Sequence, residues 1–168
     1  VGGGIVINGQ LVEGLQHIAG EWGHNVLEID GPPCYCGKHG CVETFLSGPG
    51  LAHDYALHGG DPSLDAKQIV THAEHGDARA EAAMQRYFDR FGRALSIVIN
   101  ILDPDVVVLG GGMSNIARVC IDGRERVAKY VFNDELRTKI LPHVHGDSSG
   151  VRGAAQLWPA ENSQGSSD

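Results

Sequence analysis

The sequence predicts an α/β fold, and three observations carry that prediction. In residues 5–12, I-V-I-N-G-Q-L-V, β-branched residues flank Asn8-Gly9, the strongest short-range hairpin signal a sequence offers. From residue 77 to about 102, apolar residues recur at three- and four-residue steps, the period of one helix face. Val106-Val107-Val108-Leu109 is then a short apolar run closed by Gly110-Gly111-Gly112, with a helical stretch beyond it. That order reads as a buried parallel strand, a glycine turn and a helix.

After the hairpin, residues 13–42 are rich in Gly, Pro, His and Cys and show no helical period. They are expected to form an irregular excursion held by something other than a core, and a metal would supply it. Helices are expected over residues 43–57, 65–75 and 77–102, with Pro104 ending the last. Ser114 is a plausible N-cap for the next helix. A strand over 140–145 and a helix over 150–158 follow, and the Ser-, Gln- and Gly-containing tail 159–168 is expected to be disordered. The chain holds no internal repeat.

At 168 residues, 42% hydrophobic and 20% charged, the chain suits one globular domain that buries its own core. A net charge of −8 and a pI near 5.5, with Lys and Arg scattered, argue against a nucleic-acid surface. Small molecules and other subunits are the expected partners. No apolar run approaches the ~18 residues of a membrane span, and no basic n-region opens an apolar leader, so a cytoplasmic address is expected. Val1, followed by three glycines and a strand with no initiator Met, reads as the start of a fragment whose N-terminal half is missing.

The cysteines point to a metal. Cys34, Cys36 and Cys41 crowd together in C-Y-C-G-K-H-G-C, while Cys120 lies far away in an apolar stretch. This is a metal-site layout rather than a disulfide framework. With His24 they make one imidazole and three thiolates, the ligand set of a closed tetrahedral zinc site, which leaves no position for a catalytic water. The alternatives are reduced surface thiols, or His39 as the fourth ligand. Cys120 is expected to pack as a small hydrophobe.

Glu21 and Glu43 flank the cysteine loop. Folding it around a metal would bring them into one neighbourhood, where rigidly held carboxylates can accept hydrogen bonds from vicinal hydroxyls. Spacing alone favours solvated charges instead, with Glu43 suiting the first turn of its helix. The turn Gly110, Gly111, Gly112 brings bare backbone to a helix N-terminus, which suits a nucleotide or phosphate but also an ordinary connector. The run Gly2, Gly3, Gly4 is open to the same two readings.

Five blocks, V-G-G-G-I-V-I-N-G, A-G-E-W-G-H, C-Y-C-G-K-H-G-C-V-E-T-F-L-S-G, L-D-P-D-V-V-V-L-G-G-G-M-S-N and H-G-D-S-S-G-V-R-G-A-A, resemble the ROK family of repressors, open reading frames and kinases. The resemblance spans residues 1 to about 158, in the family's order. The Trp of A-G-E-W-G-H, the C-Y-C-G-K form and the G-V-R-G-A-A-Q-L-W-P ending look most like bacterial fructokinases of manno(fructo)kinase type, with N-acetylglucosamine kinases as near neighbours.

The resemblance implies a second actin-like (ribonuclease H-like) ATPase domain over 1–158 with an inserted zinc loop at about 13–42. It matches His24, Cys34, Cys36 and Cys41 to zinc ligands, and Glu21, His24 and Glu43 to contacts with sugar hydroxyls. It matches Gly2 and Gly3 to a phosphate-contacting turn and Gly110 to Gly112 to an adenosine-contacting one. The family's D-x-G-G-T-K loop and N-D aspartate have no counterpart here. The expectation is therefore a fragment of a fructokinase-like hexose kinase, pairing as a homodimer, that uses Mg-ATP only with its other half. Its rival is the sensing domain of a ROK repressor.

Overall fold

The structure is a computed structural model and describes residues 1–146, so the expected helix over 150–158 and the tail 159–168 lie outside the described residues. At the hairpin, Asn8 (φ 52°) and Gly9 (φ 76°) both take the left-handed conformation that a tight two-residue turn demands. This turn joins β1 (Val6–Ile7) to β2 (Gln10–Leu11), antiparallel, with Val6 opposite Leu11.

Residues 13–42 contain one 3-10 turn, Trp22–His24, and two isolated bridges, Val26 with Cys41 and Pro33 with His39. Main-chain bonds cross the loop from Leu27 N to Gly40 O (2.8 Å) and from Gly40 N to Pro32 O (2.8 Å). Gly40 has φ 65°, and a Cβ there would run into the Glu28 carbonyl, so only glycine fits.

The single helix expected over 43–57 is two, α1 (Glu43–Leu46) and α2 (Gly48–Leu57). Ser47 is extended (ψ 162°) and its Oγ accepts from Gly50 N at 3.1 Å, capping α2, while Pro49 in the first turn cannot continue a preceding helix. Helix α3 (Ala66–Glu74) starts in a capping box between Asp65 and Gln68. Helix α4 (Ala78–Leu102) is capped by Asp77 and ends at Asp103 (φ 43°) just before Pro104.

The apolar face of α4 forms the centre of the core: Ala80, Met84, Phe88, Phe91, Leu95 and Ile99 are buried among α1, α2 and α3 on one side and α5 (Ala117–Tyr130) on the other. Helices α4 and α5 approach closely at two glycines. A Cβ on Gly92 would sit 2.7 Å from the Arg126 backbone, and one on Gly123 would sit 2.9 Å from the Phe91 ring.

Strand β3 (Val106–Leu109) pairs in parallel with β4 (Lys139–Pro142), Val107 opposite Ile140. The expectation of a fully buried β3 is corrected: Val107 and Leu109 turn toward the core, but Val106 and Val108 are 44% and 61% exposed. Among the described residues, helices cover only one face of this pair. Ser114 is not an N-cap either. Its hydroxyl donates to Gly111 O at 2.6 Å inside a 3-10 turn, Gly112–Asn115, and Ile116 precedes α5. Cys120 is half-buried on α5. No helix of the described residues is long and apolar enough to cross a membrane.

An ion-pair chain fastens the irregular loop to this helical body. The Arg90 guanidinium donates to Asp54 of α2 (2.6 Å) and to Glu28 of the loop (3.1 Å), and lies 4.5 Å over the Phe45 ring. Arg86 adds a second bond to Asp54 and Arg93 a second to Glu28. Burial works to raise the Asp54 pKa, but the bonds from Arg86 and Arg90 outweigh it and hold the carboxyl below its ordinary range.

Candidate functional site

The loop folds His24, Cys34, Cys36 and Cys41 together, with one ligand atom from each lying within 4.8 Å of all the others. Tight local geometry does this. Cys34 N donates to Lys38 O (2.8 Å) and Gly37 N to Cys34 O (3.0 Å), with Gly37 left-handed at φ 88°, so the chain reverses between Cys34 and Cys36. The Val26–Cys41 bridge and the bond from Val42 N to Asn25 O (2.9 Å) bring Cys41 back to the end of the Trp22–His24 turn.

Within the cluster, Cys34 Sγ lies 3.6 Å from His24 Nδ1 and Cys36 Sγ lies 3.6 Å from Cys41 Sγ. Cys34 and Cys41 are buried and Cys36 is exposed. The Lys38 amide lowers the Cys36 thiol to about 7, whereas burial pushes Cys41 up to about 11. Soft sulfur and imidazole donors at this spacing can hold a metal ion. His39 is not in the group; its backbone pairs with Pro33.

His24 is held by two residues of the cysteine turn, Tyr35 and Lys38. Its Nε2 lies 2.8 Å from the Tyr35 hydroxyl, with the two rings edge to face at 5.0 Å, and its carbonyl accepts from Lys38 Nζ at 3.2 Å. Sequence reasoning missed Tyr35 and Lys38 as partners of His24, and Glu28 with Arg90 as the anchor of the loop. Tyr35 and Lys38 stand inside the cysteine motif, but spacing does not reveal which way a non-ligand side chain reaches.

Glu21 immediately precedes the Trp22–His24 turn and Glu43 opens α1 just after Cys41, so each adjoins a member of the cysteine cluster. The Glu43 carboxylate lies against the backbone nitrogen of Val1. The two carboxylates and the cysteine cluster therefore share one neighbourhood.

The glycines place Val1 there. Gly3 and Gly20 pack backbone to backbone, a Cβ on Gly3 falling 2.8 Å from Gly20 O, and Trp22 Nε1 donates to Gly2 O at 3.1 Å. A Cβ on Gly23 would strike the Val1 carbonyl. Gly110, Gly111 and Gly112 form an exposed turn at the end of β3, with open space where their Cβ atoms would stand and φ 79° at Gly111. No hydrogen bond found among the described residues ties this turn to the His24 cluster.

The profile of the ROK family matches residues 1–161. The N-acetyl-D-glucosamine kinase of Salmonella newport (strain SL254) is 38% identical over 167 residues, covering 94% of this chain and 55% of that protein. The chain thus spans about half the length of the curated relatives it matches. A ROK family glucokinase from Streptomyces griseus, solved with glucose and AMPPNP, superimposes with a TM-score of 0.83 at 27% identity, covering 93% of this chain and 56% of that one. A ROK family transcriptional regulator, a homolog of the E. coli MLC protein, superimposes less well. Its TM-score is 0.71 at 25% identity, over 84% of this chain and 38% of that one. By the extent of the profile match and by its likeness to these proteins, the chain belongs to the ROK family.

Proposed function

We propose that this chain is the sugar-holding and metal-holding part of a cytoplasmic, ATP-dependent hexose kinase. The observation that carries the reading is the gathering of His24 with Cys34, Cys36 and Cys41 between Glu21, which precedes the Trp22–His24 turn, and Glu43, which opens α1 just after Cys41. In this reading their carboxylates accept hydrogen bonds from sugar hydroxyls, and His24 stands between sugar and metal. A sugar hydroxyl reaching His24 Nε2 would share or take over the Tyr35 contact.

The ion is a structural zinc on His24, Cys34, Cys36 and Cys41, since four protein donors complete a tetrahedron. The turn of Gly110, Gly111 and Gly112 would lie along the adenosine of Mg-ATP, and Gly2 and Gly3 along its phosphates. Residues 1–158 act as one domain in this reading, and the whole enzyme works as a homodimer. Phosphoryl transfer also needs a base at the sugar hydroxyl and a magnesium-phosphate cradle, which this chain does not supply.

Within the hexoses, the motif forms of A-G-E-W-G-H and C-Y-C-G-K support fructose, while the relatives are named for N-acetyl-D-glucosamine and glucose. The test is ATP turnover by the complete enzyme on these three sugars. Turnover is expected with fructose foremost, and none from residues 1–168 alone. Sugar-dependent turnover by the isolated chain, in a preparation free of other kinases, contradicts the division of roles.

Likeness to the transcriptional regulator supports a second reading, a sensing domain without transfer. It predicts that the complete protein binds sugar or a partner protein and consumes no ATP.

A further inference from the structure

We propose that Tyr35 is a positioning residue for the metal ligand His24, its phenol oxygen accepting the Nε2 proton and so committing Nδ1 to the metal. The inference rests on the reading that the cluster holds a metal.

A neutral imidazole carries one N–H and one lone pair, and only the lone pair can bind a cation. In His24 the nitrogen facing the sulfurs is Nδ1, 3.6 Å from Cys34 Sγ, so the proton belongs on Nε2. Nε2 points at the Tyr35 hydroxyl, 2.8 Å away. The phenol oxygen accepts that proton and keeps its own O–H free to donate outward.

The ring stands edge to face with the imidazole at 5.0 Å and 86°, which resists rotation about the His24 side-chain bonds. A histidine that binds metal commonly has such an acceptor behind it, most often a carboxylate or a carbonyl. A phenol does the same work without adding charge to a site already holding three thiolates.

Burial does not account for Tyr35, whose residue is 83% exposed. Its place is set by the ligands themselves: it lies between Cys34 and Cys36 in the turn closed by Gly37 N on Cys34 O. Lys38, from the same turn, grips the His24 carbonyl. The two non-ligand side chains of C-Y-C-G-K therefore fix the ring and the main chain of a histidine that is distant in sequence.

The experiment compares the zinc-loaded chain with its Tyr35→Phe variant, which keeps the ring and its edge contact and removes the oxygen. Zinc affinity is read by competition with a coloured chelator, and the His24 tautomer by nitrogen NMR of the imidazole. The wild type should show a metal-bound Nδ1 and a protonated Nε2. Tyr35→Phe should lose roughly ten- to a hundredfold in zinc affinity and expose the Nε2 proton to faster exchange.

Metal on Nε2 of the wild type overturns the proposal, as do unchanged affinity and unchanged exchange in Tyr35→Phe. A wild-type chain that takes up no zinc removes the metal reading and the proposal together. Tight and equal binding by both proteins removes the proposal alone. Because Tyr35 is exposed, the helical circular dichroism of the variant should match the wild type, which separates lost positioning from lost folding.

Discussion

Cys36 and Cys41 stand 3.6 Å apart in opposite surroundings, one open to solvent and lowered to about 7 by an amide, the other buried and pushed up to about 11. Thiolate is the reactive form, so in metal-free chain near neutral pH iodoacetamide should modify Cys36 first and Cys41 last. Zinc should protect both, as it requires them deprotonated and bound. Peptide mass spectrometry over a time course reads this, and equal rates at the two positions would contradict the assigned environments. Glu21 and Glu43 raise a different question, whether they are substrate acceptors or bystanders. On the proposed hexose-kinase reading, Glu21→Ala or Glu43→Ala in the full-length protein should each weaken sugar binding by about 1.5 to 3 kcal/mol, with zinc content and nucleotide affinity near wild type. Sugar titration with parallel zinc analysis tests it; unchanged sugar affinity in both variants would make them solvated charges.

At the scale of elements, the α4–α5 contact depends on the absence of two side chains. Alanine at position 92 would favour an isolated helix by about 1 kcal/mol. Here its Cβ would meet the Arg126 backbone at 2.7 Å, where no flexible group can yield. Gly92→Ala should therefore destabilise the chain, by about 1 to 3 kcal/mol, reversing the sign that helix propensity predicts. Denaturant unfolding measures it, and a stabilised variant would show the helices free to separate. The Arg90 bridge makes a second case, since it joins α2, α4 and the cysteine loop. Arg90→Leu should cost about 2 kcal/mol at neutral pH, less than a fully buried pair because the arginine is partly solvated. The Asp54 pKa is depressed in the folded chain, so this stabilisation is present above the ordinary carboxylate range and fades as pH falls through the folded value. The gap between wild type and variant should thus narrow in acid; a gap independent of pH would locate the effect in packing on Phe45.

Over the whole molecule, a helical body with an apolar core sits beside a loop that has almost none. Among residues 13–42, few side chains are buried, and Cys34 is one of them. On the proposed zinc reading, the ion contributes apparent folding free energy of about 10 kcal/mol or more, so chelation should release residues 13–42 while α4 and α5, packed through Phe88, Phe91 and Val127, keep their helical signal. Hydrogen exchange resolved by segment tests this. Uniform loss of protection across the chain would mean that loop and helices fold as one unit, coupled through Glu28 and Arg90.

Much of this architecture was legible in short stretches of sequence. Asn8-Gly9 specified its turn because both residues tolerate the left-handed conformation, and Asp65 and Asp77 marked the starts of α3 and α4 because a carboxylate there satisfies bare amides. The Ser47-Gly48-Pro49 break was also written locally, but the apolar period running through residues 43–57 concealed it. The crowding of Cys34, Cys36 and Cys41 pointed to a metal because soft donors so placed suit one, and the fold gathers them with His24 into a group that could hold one. Other features belong to tertiary structure alone. Whether His24 or His39 joins the thiols, which valines of β3 face the core, that Tyr35 reaches back to His24 and that Arg90 grips Glu28 were all undecided by spacing. Dihedral preference and ligand chemistry are properties of a few adjacent residues, so sequence determines them. Which side chains meet, and which face stays uncovered, depends on segments distant in the chain that only the fold brings together.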